Sequence, residues 1–206
     1  MITHLIFFLL VLSIRPAEVS QLNLHGGNPS IAYVNGQYTL DLPERMKSAL
    51  KKFNPAFEAW RTEDYTSAVI EDVKEDGNPN RAPFALIVNV NKDNIPDVII
   101  DGHDKKNSLL ICLISDKDDF KVISIEENKY SIPSEIISFN DGKKETGLNY
   151  FLWPSEPETL SDSPVSFIFT LGFTQQTNAD GEFLNDGGII DYYFENGSFR
   201  SENETP

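Results

Sequence analysis

The chain has 206 residues, of which 17 are basic and 32 acidic, giving a formal charge of -15 at neutral pH. Its 40% hydrophobic content is enough to build a core and argues against a disordered chain. So negative a surface repels phosphate backbones and anionic bilayers, which argues against nucleic-acid binding and leaves cationic ligands, basic proteins and hard metal ions as partners, or simple solubility as its role.

Leu5 to Ile14 is an apolar stretch followed by Arg15-Pro16-Ala17. It falls short of the roughly 20 residues of a membrane span. It therefore reads as the core of an export signal over residues 1–20, with an uncleaved anchor or a buried strand as the alternative. The processed chain is then expected in the periplasm or outside the cell, with no membrane span. The globular domain is expected over residues 21–200, followed by a polar tail over 201–206.

Ile31 to Val34 and Gln37 to Leu40 flank Asn35-Gly36, a pair that tolerates the positive φ angles of a type I′ hairpin turn. Asp41-Leu42-Pro43-Glu44 reads as a helix start with Asp41 as cap. Leu42, Met46, Ala49, Leu50 and Phe53 follow at helical spacing, and Pro55 ends the run. Tyr65 to Val73 reads as a strand or irregular extended segment, and Gly77-Asn78-Pro79-Asn80 as a loop. Phe84–Val88, Val98–Ile100, Leu109–Ile114 and Phe120–Ile125 are short apolar runs between polar clusters, the pattern of an antiparallel meander. Leu109–Ile114 is apolar on both faces and belongs inside the sheet. Cys112, the sole cysteine, lies within it, which suits a buried thiol better than a nucleophile. Ser138–Thr146 reads as a polar loop, Trp153–Pro164 as a long surface connection and Phe167–Phe173 as a strand. Asn178–Gly188 reads as a loop with turn-forming glycines. Ile189–Phe194 and Phe199-Arg200 flank a second Asn-Gly turn at Asn196-Gly197. The fold class is therefore α+β, mostly antiparallel sheet with one N-terminal helix packed on it.

The segment with chemistry in it is Asn89-Val90-Asn91-Lys92-Asp93-Asn94-Ile95-Pro96-Asp97. It places side-chain oxygens at positions 1, 3, 5 and 9 between two strands. Calcium needs six to eight oxygens, and alternate residues of a tight loop converge on one centre. Asn94 stands where such loops often use glycine, and Asn tolerates a left-handed backbone. The alternative is a loop whose Asn and Asp side chains bond their own backbone.

Residues 84–102 resemble the strand-loop-strand unit of FG-GAP and VCBS-type repeats. The order of helix, acidic loop, meander and hairpin is similar to uncharacterised secreted bacterial proteins with a single degenerate copy of that loop. The resemblance implies a structural calcium ion held by Asn89, Asn91, Asp93 and Asp97, and implies no catalysis. Position 1 is Asn89 where the family has aspartate, and the chain carries no second copy from which to build a propeller. With Asp93 and Asp97 as the charged ligands, affinity is expected at about 10⁻⁴ to 10⁻³ M.

Other candidates have plain alternatives. His103, in Asp101-Gly102-His103-Asp104, reads as a base or ligand with a raised pKa, or as a turn residue. A zinc site wants further His or Cys ligands, and outside the leader His25 alone remains. Tyr192, Tyr193, Phe194 and Trp153 could form a sugar-stacking face, or pack as core. Asn196-Gly197-Ser198 and Asn203-Glu204-Thr205 match the N-glycosylation pattern, which matters in a eukaryotic secretory host. The leading expectation is an exported non-catalytic domain with a weak calcium loop, serving a protein or glycan partner. A carboxylate hydrolase using His103 and an inhibitor or interaction module are the alternatives.

Overall fold

The computed structural model describes residues 27–116, 119–140, 143–155, 165–174, 176–177, 183–185 and 188–204. The expected leader lies outside them. β1 (Ser30–Val34) and β2 (Gln37–Asp41) pair as an antiparallel hairpin. Asn35 and Gly36 turn it with φ of 52° and 82°, both in the left-handed region that a type I′ turn needs. α1 (Glu44–Phe53) follows. Asp41 is not its cap: it ends β2 opposite Ser30, and Pro43 stands at the N-cap without a side-chain hydrogen bond. Asn54, extended at φ −148°, closes the helix, because the ring of Pro55 keeps its predecessor out of the α region.

β3 (Glu58–Ala59) leads to α2 (Ser67–Asp76), where the structure corrects the reading of Tyr65–Val73 as extended. The β-branched residues that suggest a strand serve a helix here, with Val69 and Val73 buried on one face at i and i+4. Glu145 closes the start of α2 from outside: its carboxylate accepts the Ser67 N–H at 3.1 Å and the Ser67 hydroxyl at 2.6 Å. Gly77, at φ 64°, forms the left-handed C-cap.

The expected meander is present. β4 (Arg81–Ala82), β5 (Ala85–Val88), β6 (Asp97–His103), β7 (Asn107–Asp116) and β8 (Asp119–Lys129) pair antiparallel in that order. β3 continues the edge where β5 ends, pairing with Gly102 and His103. Asp101-Gly102-His103 is therefore strand and not turn. A Cβ on Gly102 would fall 2.3 Å from the Glu58 carbonyl oxygen, so the close approach of β3 requires glycine.

β9 (Ile137–Asn140) and β10 (Lys143–Thr146) form a hairpin where the sequence reads as loop. β11 (Tyr150–Ser155) and β12 (Val165–Phe173) follow. β13 (Gln176–Thr177) and β14 (Phe183–Asn185) make a short pair, so Phe183–Asn185 is strand where a loop is expected; Asn178, Asp180 and Gly181 of that loop lie outside the described residues. β15 (Ile189–Glu195) and β16 (Ser198–Glu204) turn at Asn196 and Gly197, φ 51° and 84°. β16 takes in residues 201–204 of the expected tail. β11, β12, β15 and β16 build a second antiparallel sheet in that order.

The meander sheet is buried on both faces. Leu109, Ile111 and Leu113 of β7 pack with Met46 and Leu42 at α1. Leu110, Cys112 and Ile114 face the second sheet and pack with Leu152, Phe169, Leu171, Tyr192 and Phe194. Alternate residues of one strand thus serve two cores, which is why Leu109–Ile114 is continuously apolar. A third core under α2 gathers Trp60, Tyr65, Val69, Val73, Phe84 and Leu148. Arg81, 1% exposed, ties α2 to both sheets. Its Nε donates to the Leu152 carbonyl at 2.8 Å and its Nη2 to Asp72 at 3.3 Å. Nη1 lies 3.0 Å from Asp76, an ion pair outside hydrogen-bond geometry. The guanidinium stacks 4.2 Å from the Trp153 ring centre.

Candidate functional site

The 89–97 loop joins β5 to β6, two paired strands whose ends fix its entrance and exit. Asn89 Oδ1 and Asn91 Oδ1 both accept the Asp93 N–H, each at 3.2 Å. Asp93 Oδ1 accepts the Ile95 N–H at 2.8 Å. These are side-chain turns that replace backbone ladder bonds. Lys92 and Asn94 take left-handed φ angles of 61° and 66°, so Asn94 does fill the glycine role expected of it. Asn89 and Asn91 are half-buried, Asp93 is exposed and Asp97 is buried, and both carboxylates accept donors from Ser115 on β7. Ser115 donates its hydroxyl to Asp93 Oδ2 and its N–H to Asp97 Oδ1 at 2.8 Å. The Asn91 amide adds bonds to the Ser115 hydroxyl at 2.8 Å and to Asp93 Oδ2 at 3.1 Å.

Asp97 is fully buried, and its other oxygen accepts the Val90 N–H at 2.7 Å. Burial pushes its carboxyl up to about 6 against these backbone hydrogen bonds, and the neighbouring Asp93 charge pushes the same way. The donor set, two carboxylates and two amide oxygens, suits a hard cation, and a cation would relieve the repulsion between the carboxylates. The loop also closes on its own hydrogen bonds, so it holds its shape through protein atoms alone. Among the described residues no group of three or more His, Cys, Asp and Glu side chains is placed to hold a metal ion.

The structure separates the other candidates. His103, 8% exposed, packs its ring 4.3 Å from Trp60 and 5.2 Å from Tyr130. Its Nδ1 is buried without a hydrogen bond. Burial lowers its pKa, outweighing Glu58 and Asp64, where flanking carboxylates suggest a rise. The Cys112 thiol is free and buried, and burial raises its pKa. Tyr192 and Phe194 are core residues at 3% and 6% exposure, Tyr193 lies under the Arg200 guanidinium at 4.5 Å, and Trp153 covers Arg81. They form no shared sugar-stacking face.

A second cluster escapes the sequence reading. Asp101, buried in mid-β6, accepts the Tyr65 hydroxyl at 3.3 Å. Burial pushes its carboxyl up to about 7, partly offset by the hydroxyls of Tyr150 and Tyr65. The Trp60 indole N–H contributes in the same sense from outside hydrogen-bond geometry. The available signal was period two: Asp101 shares the inward face of Ile99. On β8, Glu126 accepts the Tyr192 hydroxyl.

No family model matches the chain, and neither a curated protein nor a solved structure matches it. No helix among the described residues is long and apolar enough to cross a membrane.

Proposed function

We propose that this chain is an exported, non-catalytic domain that serves a protein or glycan partner, and that its 89–97 loop is a structural brace of the FG-GAP/VCBS type with weak affinity for calcium. The observation that carries the reading is the convergence of the loop: Asn89 and Asn91 share the Asp93 N–H, while Asp93 and Asp97 share Ser115. Asn89, Asn91, Asp93 and Asp97 would hold the ion. Calcium, when bound, supplies charge neutralisation and rigidity and no chemistry. The protein atoms do the rest, because Asp97 pins the start of the loop to the end of β7 whether or not a cation is present.

The non-catalytic reading is supported by the packing of His103 between aromatic rings with its Nδ1 buried and lacking a hydrogen-bond partner. A general base must reach its proton, and this ring is positioned as core. The test is a thermal melt with 5–10 mM calcium, roughly ten times the expected dissociation constant. Binding to the folded state should raise the melting temperature by roughly 3–6 °C, and Asp93→Asn should remove the response. An unchanged melt counts against the calcium brace.

A further inference from the structure

A cavity of about 270 Å³ lies between the two sheets. One wall is a cross-strand row on the meander sheet, Asp101 on β6, Leu110 on β7 and Glu126 on β8, each opposite the next in register. The facing wall is Leu171 and Ile190, which are paired across β12 and β15, together with Phe173. Asn128, Lys129 and Ser131 form an exposed rim that opens it to solvent. Two carboxylates therefore flank an apolar chamber at a place where side chains of stacked sheets ordinarily interdigitate.

We infer that this cavity is a binding site for a small organic ammonium ion with an apolar body. The volume sets the size: a 150 Å³ cavity accepts benzene, so about 270 Å³ suits a single ring with a short aminoalkyl arm. The lining sets the polarity, with Leu171, Phe173 and Ile190 for the body and Asp101 and Glu126 for the charge. Asp101 already accepts the Tyr65 hydroxyl, with the Tyr150 hydroxyl of the cavity wall also acting on it, and Glu126 accepts the Tyr192 hydroxyl. These contacts fix the orientation of both carboxylates, and Glu126, with one such partner, keeps the larger share of its lone pairs for an N–H donor. The chain's charge of -15 draws cations toward the mouth and repels anions. Asp101 carries a carboxyl raised to about 7 by burial, and an ammonium beside it would favour ionisation, so binding at pH 6 should release protons.

The probes are phenethylamine, its neutral analogue 2-phenylethanol and the anion 3-phenylpropionate, titrated calorimetrically into the whole protein at pH 7.5 in 0.15 M salt. The amine should bind at least tenfold more tightly than the alcohol, with the acid weakest. Asp101→Asn and Glu126→Gln should each erase most of that preference, and either one suffices if the other fails to fold. Ile190→Trp, which fills the chamber from its half-exposed edge, should abolish binding of amine and alcohol together. The inference is overturned if no probe binds or if the alcohol binds as well as the amine. It is equally overturned if amine binding survives all three substitutions, which would mark adsorption to the acidic surface.

Discussion

The Ser115 N–H donates to Asp97 Oδ1 at 2.8 Å from the neighbouring strand, while Val90 at the head of the loop donates to Asp97 Oδ2 at 2.7 Å. One buried carboxylate thus satisfies two backbone donors that no ladder bond reaches, and it joins the loop to β7 in doing so.

Asp97→Asn should therefore destabilise the fold. An amide offers one oxygen to two N–H donors and sets its own NH₂ against the second, a loss of about 1–3 kcal/mol for a buried unsatisfied group. Urea denaturation should show a lower midpoint with an unchanged m-value.

Stability should fall as pH rises between about 4 and 7. Asp101 is raised to about 7 in the folded state, against about 3.9 in the unfolded chain. Folding thus favours its protonated form. Its contribution is present in full below the unfolded value and is lost as pH climbs through the folded one. Asp97, raised to about 6, has the same sign and ends earlier. Denaturation curves from pH 4.5 to 8 should show the decline, and Asp101→Asn should flatten the portion between pH 6 and 7.

Gly102→Ala should cost at least about 3 kcal/mol, because the new methyl would meet the Glu58 carbonyl at 2.3 Å and the Ala59 Cα at 2.9 Å. Gly36→Ala meets no atom within 4 Å and contends with φ 82° alone, a cost of about 1–2 kcal/mol. Thermal melts of the two variants should rank in that order.

Arg81→Lys should behave as a disruptive change. Lysine cannot donate to Leu152 while reaching Asp72 and Asp76 and lying flat on Trp153. A loss of about 2–4 kcal/mol is expected, and Trp153 emission should shift as its ring loses the guanidinium.

The elements legible in the sequence were those whose signals are local. Asn35-Gly36 and Asn196-Gly197 announce their turns because two left-handed residues in succession are a backbone requirement. The alternation of cores around Leu109–Ile114 announces an interior strand. The helix over Ser67–Asp76 stayed hidden because Val69 and Val73 favour strands in isolation, and because the carboxylate closing its first turn, Glu145, lies 78 residues away. The self-bonding of the 89–97 loop, given as the alternative to a cation site, was legible, since alternate Asn and Asp side chains bond local backbone. Its anchoring on Ser115 was not, because that residue arrives from another strand. Asp101 looked like a turn residue beside Gly102, and the backbone of β3 that makes it interior is set by the tertiary fold.

The most direct test of the proposed brace is a calcium titration followed by amide NMR at pH 7.5. The Asp93 amide, shared by the Asn89 and Asn91 oxygens, and the Val90 and Ser115 amides, held by Asp97, report on the site. These resonances should move together and saturate at about 10⁻⁴ to 10⁻³ M calcium, with no such response in Asp93→Asn. Shifts scattered over the acidic surface without saturation, or none at these three amides, would contradict the brace.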